Sequence, residues 1–305
     1  MDLTQKNLLK TIADIEGPTL GAFNIRANGT LAGRNTTENV DIVTKKDKPG
    51  IDIFVKAGTK GEKIHIPVII SESGHKETVY NDFHIGDDCD VEIVAGCGIH
   101  NCGSGASQHD GIHSFFLGKN SKLLYTEKHY GDGDGDGERL MNPTTIMNLD
   151  EGSHMEMETT QIKGIDSTKR VTLARLSDNS TLIVREKLMT HGKQTATTEF
   201  TVDLDGENSS ANIISRSVAK DSSHQVFLSK INGNNKCAGH SECDAIIMDD
   251  ASVSAIPEIT ANSTEASLIH EAAIGKIAGE QLIKLMTLGL TEQEAEEQIV
   301  NGFLK

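Results

Sequence analysis

Within its last quarter the chain carries Cys237-Ala-Gly-His240-Ser-Glu-Cys243-Asp244, and about thirty residues later His270-Glu271. Thiolate, imidazole and carboxylate are the side chains that hold iron, and a mixed set of them makes a weak, labile site. Cys237-x2-His240-x2-Cys243 lacks the paired Cys-x-x-Cys elements of a structural zinc centre. In an extended segment alternate residues share a face, so Cys237 and Cys243 would fall together. A solvated turn entering a strand is the plain alternative. His270-Glu271 reads as the opening of a helix, where the helix dipole by itself favours a glutamate.

A second group of candidates lies earlier. Val91-Glu-Ile-Val-Ala-Gly96-Cys97 places a thiol at a strand end beside a glycine. Such a thiol is either partly open and reactive or a buried small apolar residue. His100 and His113 are the nearby cation candidates for a thiolate. Cys97-Gly-Ile-His100-Asn-Cys102, with His109 and His113, is the densest His/Cys cluster. Its spacing fits no zinc motif, and a turn-rich loop carrying incidental histidines is the favoured reading. Asp132-Gly-Asp134-Gly-Asp136-Gly137 matches the first half of an EF-hand loop, but Pro143 stands where a bidentate glutamate is required. A flexible acidic loop is expected there. There is no Walker-type phosphate loop, no Gly-x-Gly-x-x-Gly opening a helix and no Gly-x-Ser-x-Gly elbow. The chain is therefore not expected to be a P-loop ATPase or a Rossmann enzyme.

The elements that must position these residues read mainly as β. The 305 residues include 36% hydrophobic and 4% aromatic side chains, no Trp, 29 Gly and 5 Pro. Such a core must be built from aliphatic residues in regular stacks joined by many tight turns. From about Leu20 to Asn262, runs such as Ile51–Val55, Ile64–Ile70, Val91–Val94 and Ala245–Met248 alternate with turn residues. Two or three strands per coil of roughly twenty residues suits a parallel β-helix, with a β-sandwich left open. Asp178–Leu182 and Asp249–Val253 read as equivalent turns. Weak helical periodicity (Leu3, Leu8, Leu9, Ile12, Ile15) predicts a helix over 1–16, stopped by Gly17-Pro18. From Ser263 the period becomes helical, with Ile274, Ile277, Ala278, Leu282, Leu285 and Met286 on one face. Gly289 closes that helix, and Thr291 with Glu294 forms a capping box opening a second. The expected divisions are thus 1–16, a β core over 17–262 and a helical segment over 263–305.

A formal net charge of −16 and the lack of a basic stripe argue against nucleic-acid or anionic-membrane partners. The start, Met1-Asp2-Leu-Thr-Gln-Lys, has no signal-peptide pattern, and no apolar run approaches membrane-spanning length. An odd five cysteines, not spaced as a disulfide framework, suits a reducing cytoplasm.

Four blocks occur in order: Gly239-His-Ser-Glu-Cys-Asp-Ala-Ile-Ile-Met-Asp, Ala255-Ile-Pro-Glu-Ile, His270-Glu-Ala-Ala-Ile-Gly-Lys-Ile and Gly289-Leu-Thr-Glu-Gln-Glu-Ala-Glu. With them, the chain from about Val40 to Phe303 resembles the SufB/SufD family of iron–sulfur cluster assembly scaffolds. Val91–Cys97 is similar to the block bearing the inner cysteine of B-type members. The resemblance implies a right-handed parallel β-helix with C-terminal helices that dock a SufC-type ABC ATPase. It also implies persulfide sulfur from a cysteine desulfurase and a transient iron–sulfur cluster at a subunit junction. Carried over by position, Cys97 matches the sulfur-entry cysteine and Cys243 the sulfur acceptor of the cluster site. Glu271 matches the cluster-site carboxylate, and His270 the D-type histidine that also contributes.

The extended N-terminal region of long B-type members has no counterpart here, which puts the usual desulfurase docking in question. The expectation is a minimal B-type scaffold, not itself an enzyme, pairing as a homodimer. A D-like accessory subunit without its own cluster site is the alternative. A polysaccharide-cleaving β-helix enzyme is a third, and the low aromatic content argues against it.

Overall fold

In the computed structural model, which describes residues 1–17 and 19–305, each β-branched run pairs with the run one coil further along the chain. The result is a parallel β-solenoid of about eight turns, its strands shared between two facing ten-stranded sheets. Parallel pairing removes the β-sandwich alternative, whose sheets are antiparallel. Stacked partners are 32 residues apart near His100–Asp132 and 28 apart near Asn212–His240. The coil is therefore longer than the twenty residues expected. Each turn uses two strands of about ten residues, such as Asp90–His100 and Ser107–Leu117, the smaller of the two or three expected. Along central strands such as Thr181–Thr190 and Thr195–Leu204 every second residue is buried, so alternate side chains enter the lumen. Most of the lumen is aliphatic. Phe83 stacks on Phe115 at 4.4 Å, and Tyr125 meets Phe115 at 4.8 Å near the first turns.

Two columns of turns run along the solenoid. One has its left-handed residue third, at Asn120, Asn179 and Asn208, and the other has it second, at Gly192, Asp221 and Asp249. Asn and Asp tolerate that conformation because their short side chains bond the local backbone. The segments at Asp178 and Asp249, expected to be equivalent, belong to opposite columns.

The two ends of the solenoid differ. Antiparallel hairpins, Ala22–Ala27 with Thr30–Asn35 and Val40–Thr44 with Gly50–Val55, close the N-terminal end. The C-terminal end finishes on Ser252–Ala261 and Ser267–Gly275, each paired on one side only. The second of these corrects the expected helix at His270. Ser267–Gly275 pairs in parallel with Cys237–Ile247, so the strand pairing overrides the helical preference of Glu271-Ala-Ala. Helix begins only at α2 (Gly279–Thr287) and continues in α3 (Glu292–Phe303), which opens on the Thr291–Glu294 capping box. The segment 263–305 is thus part strand and part helix. Val300 and Leu304 pack on Val218 at the outer face of a sheet.

Helix α1 (Leu3–Ala13) is shorter than 1–16. It ends at Asp14, which is left-handed, ahead of the expected Gly17-Pro18 stop. Pro18 itself lies outside the described residues. The apolar side of α1 (Leu8, Leu9, Ile12, Ala13) is buried on the outer face of the Asp90–His100 strand and its neighbours. No helix among the described residues is long and apolar enough to cross a membrane.

Candidate functional site

Cys97 sits within the Asp90–His100 strand, between Val68 and His129 on the neighbouring strands, and is only 2% exposed. Of the two readings of Cys97, partly open or buried, the buried one is found, and the thiol lies within the strand, not at its end. The glycines beside it serve a different end. A Cβ on Gly96 would stand 2.8 Å from the Ile12 carbonyl, and one on Gly98 3.0 Å from Leu8. Both are bare so that α1 can lie directly over them and seal the strand from outside.

On the lumen side Cys97 lines a small cavity with Val68, His109, His113, Glu127 and His129. Burial, with the charges of Glu77 and Glu127, pushes its thiol well above the usual range. The expected cations are not there. His100 is half-buried and bound to Asp132 instead. Burial lowers His113 to about 4, so it is neutral at physiological pH. Burial would raise Glu77, but His109 at 3.2 Å and Arg26 at 3.0 Å outweigh it and hold the carboxyl at about 2.

From this cavity a polar column runs through the apolar lumen. Glu127, Thr159, Glu186, Ser215 and Cys243 are successive register partners, one per coil. Glu127 is reached from His113 through Tyr125, at 2.8 and 3.0 Å. Arg170, projecting from the facing sheet, donates to Glu127 at 2.7 Å and lies 3.9 Å from Glu186. Glu186 accepts from Thr198 at 2.9 Å and from Ser215 at 2.7 Å. Burial works to raise Glu127, yet Arg170 and His129 hold its carboxyl well below the usual range. The hydroxyls of Thr159 and Thr172 are buried without a partner, an uncommon condition for an interior polar group.

Sequence reasoning missed Tyr125, Glu127, Arg170, Glu186 and Ser215. Their signal was present as alternation: Leu123, Tyr125, Glu127 and His129 share the buried face of one strand, with Leu124, Thr126 and Lys128 on the other.

At the far end of the column, burial, together with Glu186 and Asp244, pushes the Cys243 thiol up to about 12. Cys237 and Cys243 do share the inner face, as an extended segment requires, and His240 faces the other way. His270 pairs in register with Ser241 on the inner face, and its Nδ1 is buried without a partner. Glu271 pairs with Glu242 on the outer face. The structure therefore brings His270 to the same side as Cys243 and sets Glu271 on the opposite side of the sheet. There Glu271 meets His240, Nε2 to Oε2 at 3.4 Å. Donor atoms of His240, Glu242 and Glu271 all lie within 4.8 Å of one another. His240 Nδ1 contacts Asn212 Oδ1 at 3.0 Å, which fixes the ring and turns Nε2 toward the carboxylates. This is a set suited to a divalent transition metal.

The acidic run at Asp132, expected as a flexible loop, is hydrogen-bonded to the coil before it. Gly135 and Gly137 donate to the backbone carbonyls of Asn101 and Gly103 at 3.1 and 2.9 Å, as one rung laid on the next.

Comparison with known proteins gives a family match and several relatives. The family described as SUF system FeS cluster assembly, SufBD core domain, matches residues 70–303. An iron–sulfur cluster assembly SufBD family protein of Methanocaldococcus jannaschii is 31% identical over 256 residues, covering 83% of this chain and 79% of the relative. One from Archaeoglobus fulgidus is 30% identical over 249 residues, covering 80% and 66%. One from Methanothermobacter thermautotrophicus is 30% identical over 241 residues, covering 78% of this chain and 57% of the relative. The chain thus spans little more than half the length of that last relative.

Proposed function

The chain belongs to the SufBD family of iron–sulfur cluster assembly proteins, and from that premise we propose that it is a scaffold on which a transient cluster is built. The observation that carries this reading is the polar column that runs along the lumen between two of its buried thiols, Cys97 and Cys243. Sulfur enters at or near Cys97 and passes along the column to Cys243. Thr159 and Ser215 offer hydroxyls along the way, and Arg170 tempers the repulsion that Glu127 and Glu186 would present to an anionic sulfur species.

Iron, the other substrate, is held at the C-terminal end of the solenoid. Cys243 and His270 supply ligands from within, and Glu271, with His240 and Glu242 beside it, supplies them from the outer face. The cluster forms on the inner pair where the last strands meet a second subunit, and the outer set holds iron that feeds it. The open edges support this: Ile256 and Ile269 on the terminal strands are 50% and 52% exposed. Unpaired strand edges with apolar side chains invite edge-to-edge association. A homodimer presents the site twice. Exposed Ile283, Met286 and Leu288 on and after α2 form the surface on which a SufC-type ABC ATPase docks. ATP hydrolysis stays with that partner, sulfur comes from a cysteine desulfurase or another persulfide donor, and the five unpaired cysteines suit a cytoplasmic setting.

The test is anaerobic reconstitution with iron and sulfide, followed by visible charge-transfer absorption. The scaffold reading expects Cys243→Ala to lose the cluster. A D-like accessory subunit would show unchanged assembly in both Cys97→Ala and Cys243→Ala.

A further inference from the structure

The loop after the Asp90–His100 strand holds a group that takes no part in the lumen column. Cys102 is exposed, whereas the other four cysteines are buried. Its Sγ lies 2.9 Å from His100 Nε2, and His100 Nδ1 lies 2.6 Å from Asp132 Oδ1. A contact that short between Nδ1 and a carboxylate places the ring proton on Nδ1 and leaves the Nε2 lone pair facing the thiol. Nucleophile, base and orienting carboxylate stand in one line, the arrangement by which weak nucleophiles are activated on unrelated folds.

The frame around the three is rigid. Asn101 is fully buried and donates to the carbonyls of Gly105 and Gly137 at 2.8 and 3.0 Å, while Gly103 N–H donates to its Oδ1 at 3.1 Å. The Asp132 carbonyl accepts from Asn101 N–H at 3.0 Å, and Arg139 braces Gly133 at 3.1 Å while paired with Asp166. A side chain at Gly103 would strike Ser73, its Cβ 2.3 Å from Oγ. Cys102 is thus presented at the surface by a fixed turn, with its base already in contact.

We propose that Cys102 is the surface thiol that accepts sulfane sulfur from a donor persulfide, R–S–SH, with His100 as its base and Asp132 positioning His100. The proposal rests on the assembly reading for the use of the sulfur, and it supplies what Cys97 lacks, since a sealed lumen thiol cannot meet a donor. His100 Nε2 takes the Cys102 proton as Sγ attacks the terminal sulfur of the donor. The new Sγ–S bond forms while the donor S–S bond breaks. The donor leaves as a thiolate and takes the proton back from His100, giving Cys102–S–SH and R–SH. Sulfane sulfur changes carrier and no electrons are gained or lost overall.

The test incubates the whole chain anaerobically with glutathione persulfide or, in a second arm, with a persulfidated cysteine desulfurase. Free thiols and persulfides are then trapped by alkylation and mapped by peptide mass. The added sulfur is expected first on Cys102, and transfer in either arm supports the assignment and tells a free donor from a protein-borne one. His100→Gln should slow transfer by about 100-fold or more. Asp132→Asn should also slow it, and Asp132→Glu should restore most of the rate at unchanged melting temperature, which a merely structural role would not produce. Sulfur appearing on Cys97 while Cys102 stays unmodified, or an unchanged rate in His100→Gln, overturns the proposal. Reconstitution of the wild type from inorganic sulfide separates the two readings. If it succeeds while Cys102 accepts nothing, this proposal alone fails; if it fails, the assembly reading falls.

Discussion

Replacing Arg170 by Met removes the single guanidinium set between two lumen carboxylates. In the wild type it is 6% exposed at its side chain, 2.7 Å from Glu127 and 3.9 Å from Glu186. Breaking a buried pair by deleting one partner costs about 3–5 kcal/mol, because the remaining charge stays in a medium that solvates it poorly. The sign with pH follows from Glu127. Its folded carboxyl is held well below the 4.5 of the free group, so in the wild type its stabilisation is fully present above about pH 4.5. It is lost only as pH falls through the lower folded value. Without Arg170, His129 and His113 alone oppose the upward push of burial on Glu127, so its carboxyl rises, the variant is penalised most at pH 7.5, and part of the loss is regained as pH falls toward 5 and the carboxyl takes a proton. Urea unfolding followed by far-ultraviolet circular dichroism at both pH values reads the gap directly. Adding Glu127→Gln to Arg170→Met should recover much of the loss, and the cycle gives the coupling between the two. A gap below about 1 kcal/mol at pH 7.5, the ordinary worth of an exposed pair, would refute the claim that the column is a desolvated charged network.

Other consequences are equally direct. Gly96→Ala drives a Cβ to 2.8 Å from the carbonyls of both Ile12 and Lys128; overpacking of this kind costs about 1–3 kcal/mol. The cost should appear as a lower melting temperature in thermal unfolding. Asn212→Ala frees the His240 ring and should weaken ferrous binding by about 10-fold or more, read by anaerobic calorimetry, while His240→Ala should weaken it further. Ile256→Lys combined with Ile269→Lys charges both open edges and should leave a monomer in sedimentation experiments, with the solenoid's circular dichroism unchanged.

Much of the fold was legible because it is written in a simple code. Scarce aromatics and short β-branched runs broken by Asn, Asp and Gly announce stacked coils, and Thr291 with Glu294 marked the start of α3 unaided. The coil length was not legible, since it depends on how two strands of ten residues share a turn, and no repeat in the sequence counts it. His270-Glu271-Ala-Ala misled because local helix preference is a weak force beside a full strand partner at Cys237–Ile247. The site was legible in part. Cys97, Cys243, His270 and Glu271 stand out by type, but which face each occupies is a matter of register. A one-residue step therefore separates Glu271 from Cys243 across the sheet. The column of Glu127, Arg170 and Glu186 is invisible to spacing arguments, because Arg170 stands 43 residues from Glu127 in the chain and the three meet only when coils stack. Cys102, His100 and Asp132 were similarly scattered between a supposed loop and a supposed cation site.

The central claim is that Cys243 is where the cluster is built. Cys243→Ala and Cys237→Ala remove two buried thiols from the same strand face, and only the first lies on the polar column. Anaerobic reconstitution with iron and sulfide, read by visible absorption and iron content per chain, compares them. The account predicts a cluster in wild type and Cys237→Ala and its loss in Cys243→Ala. A full cluster in folded Cys243→Ala would contradict it.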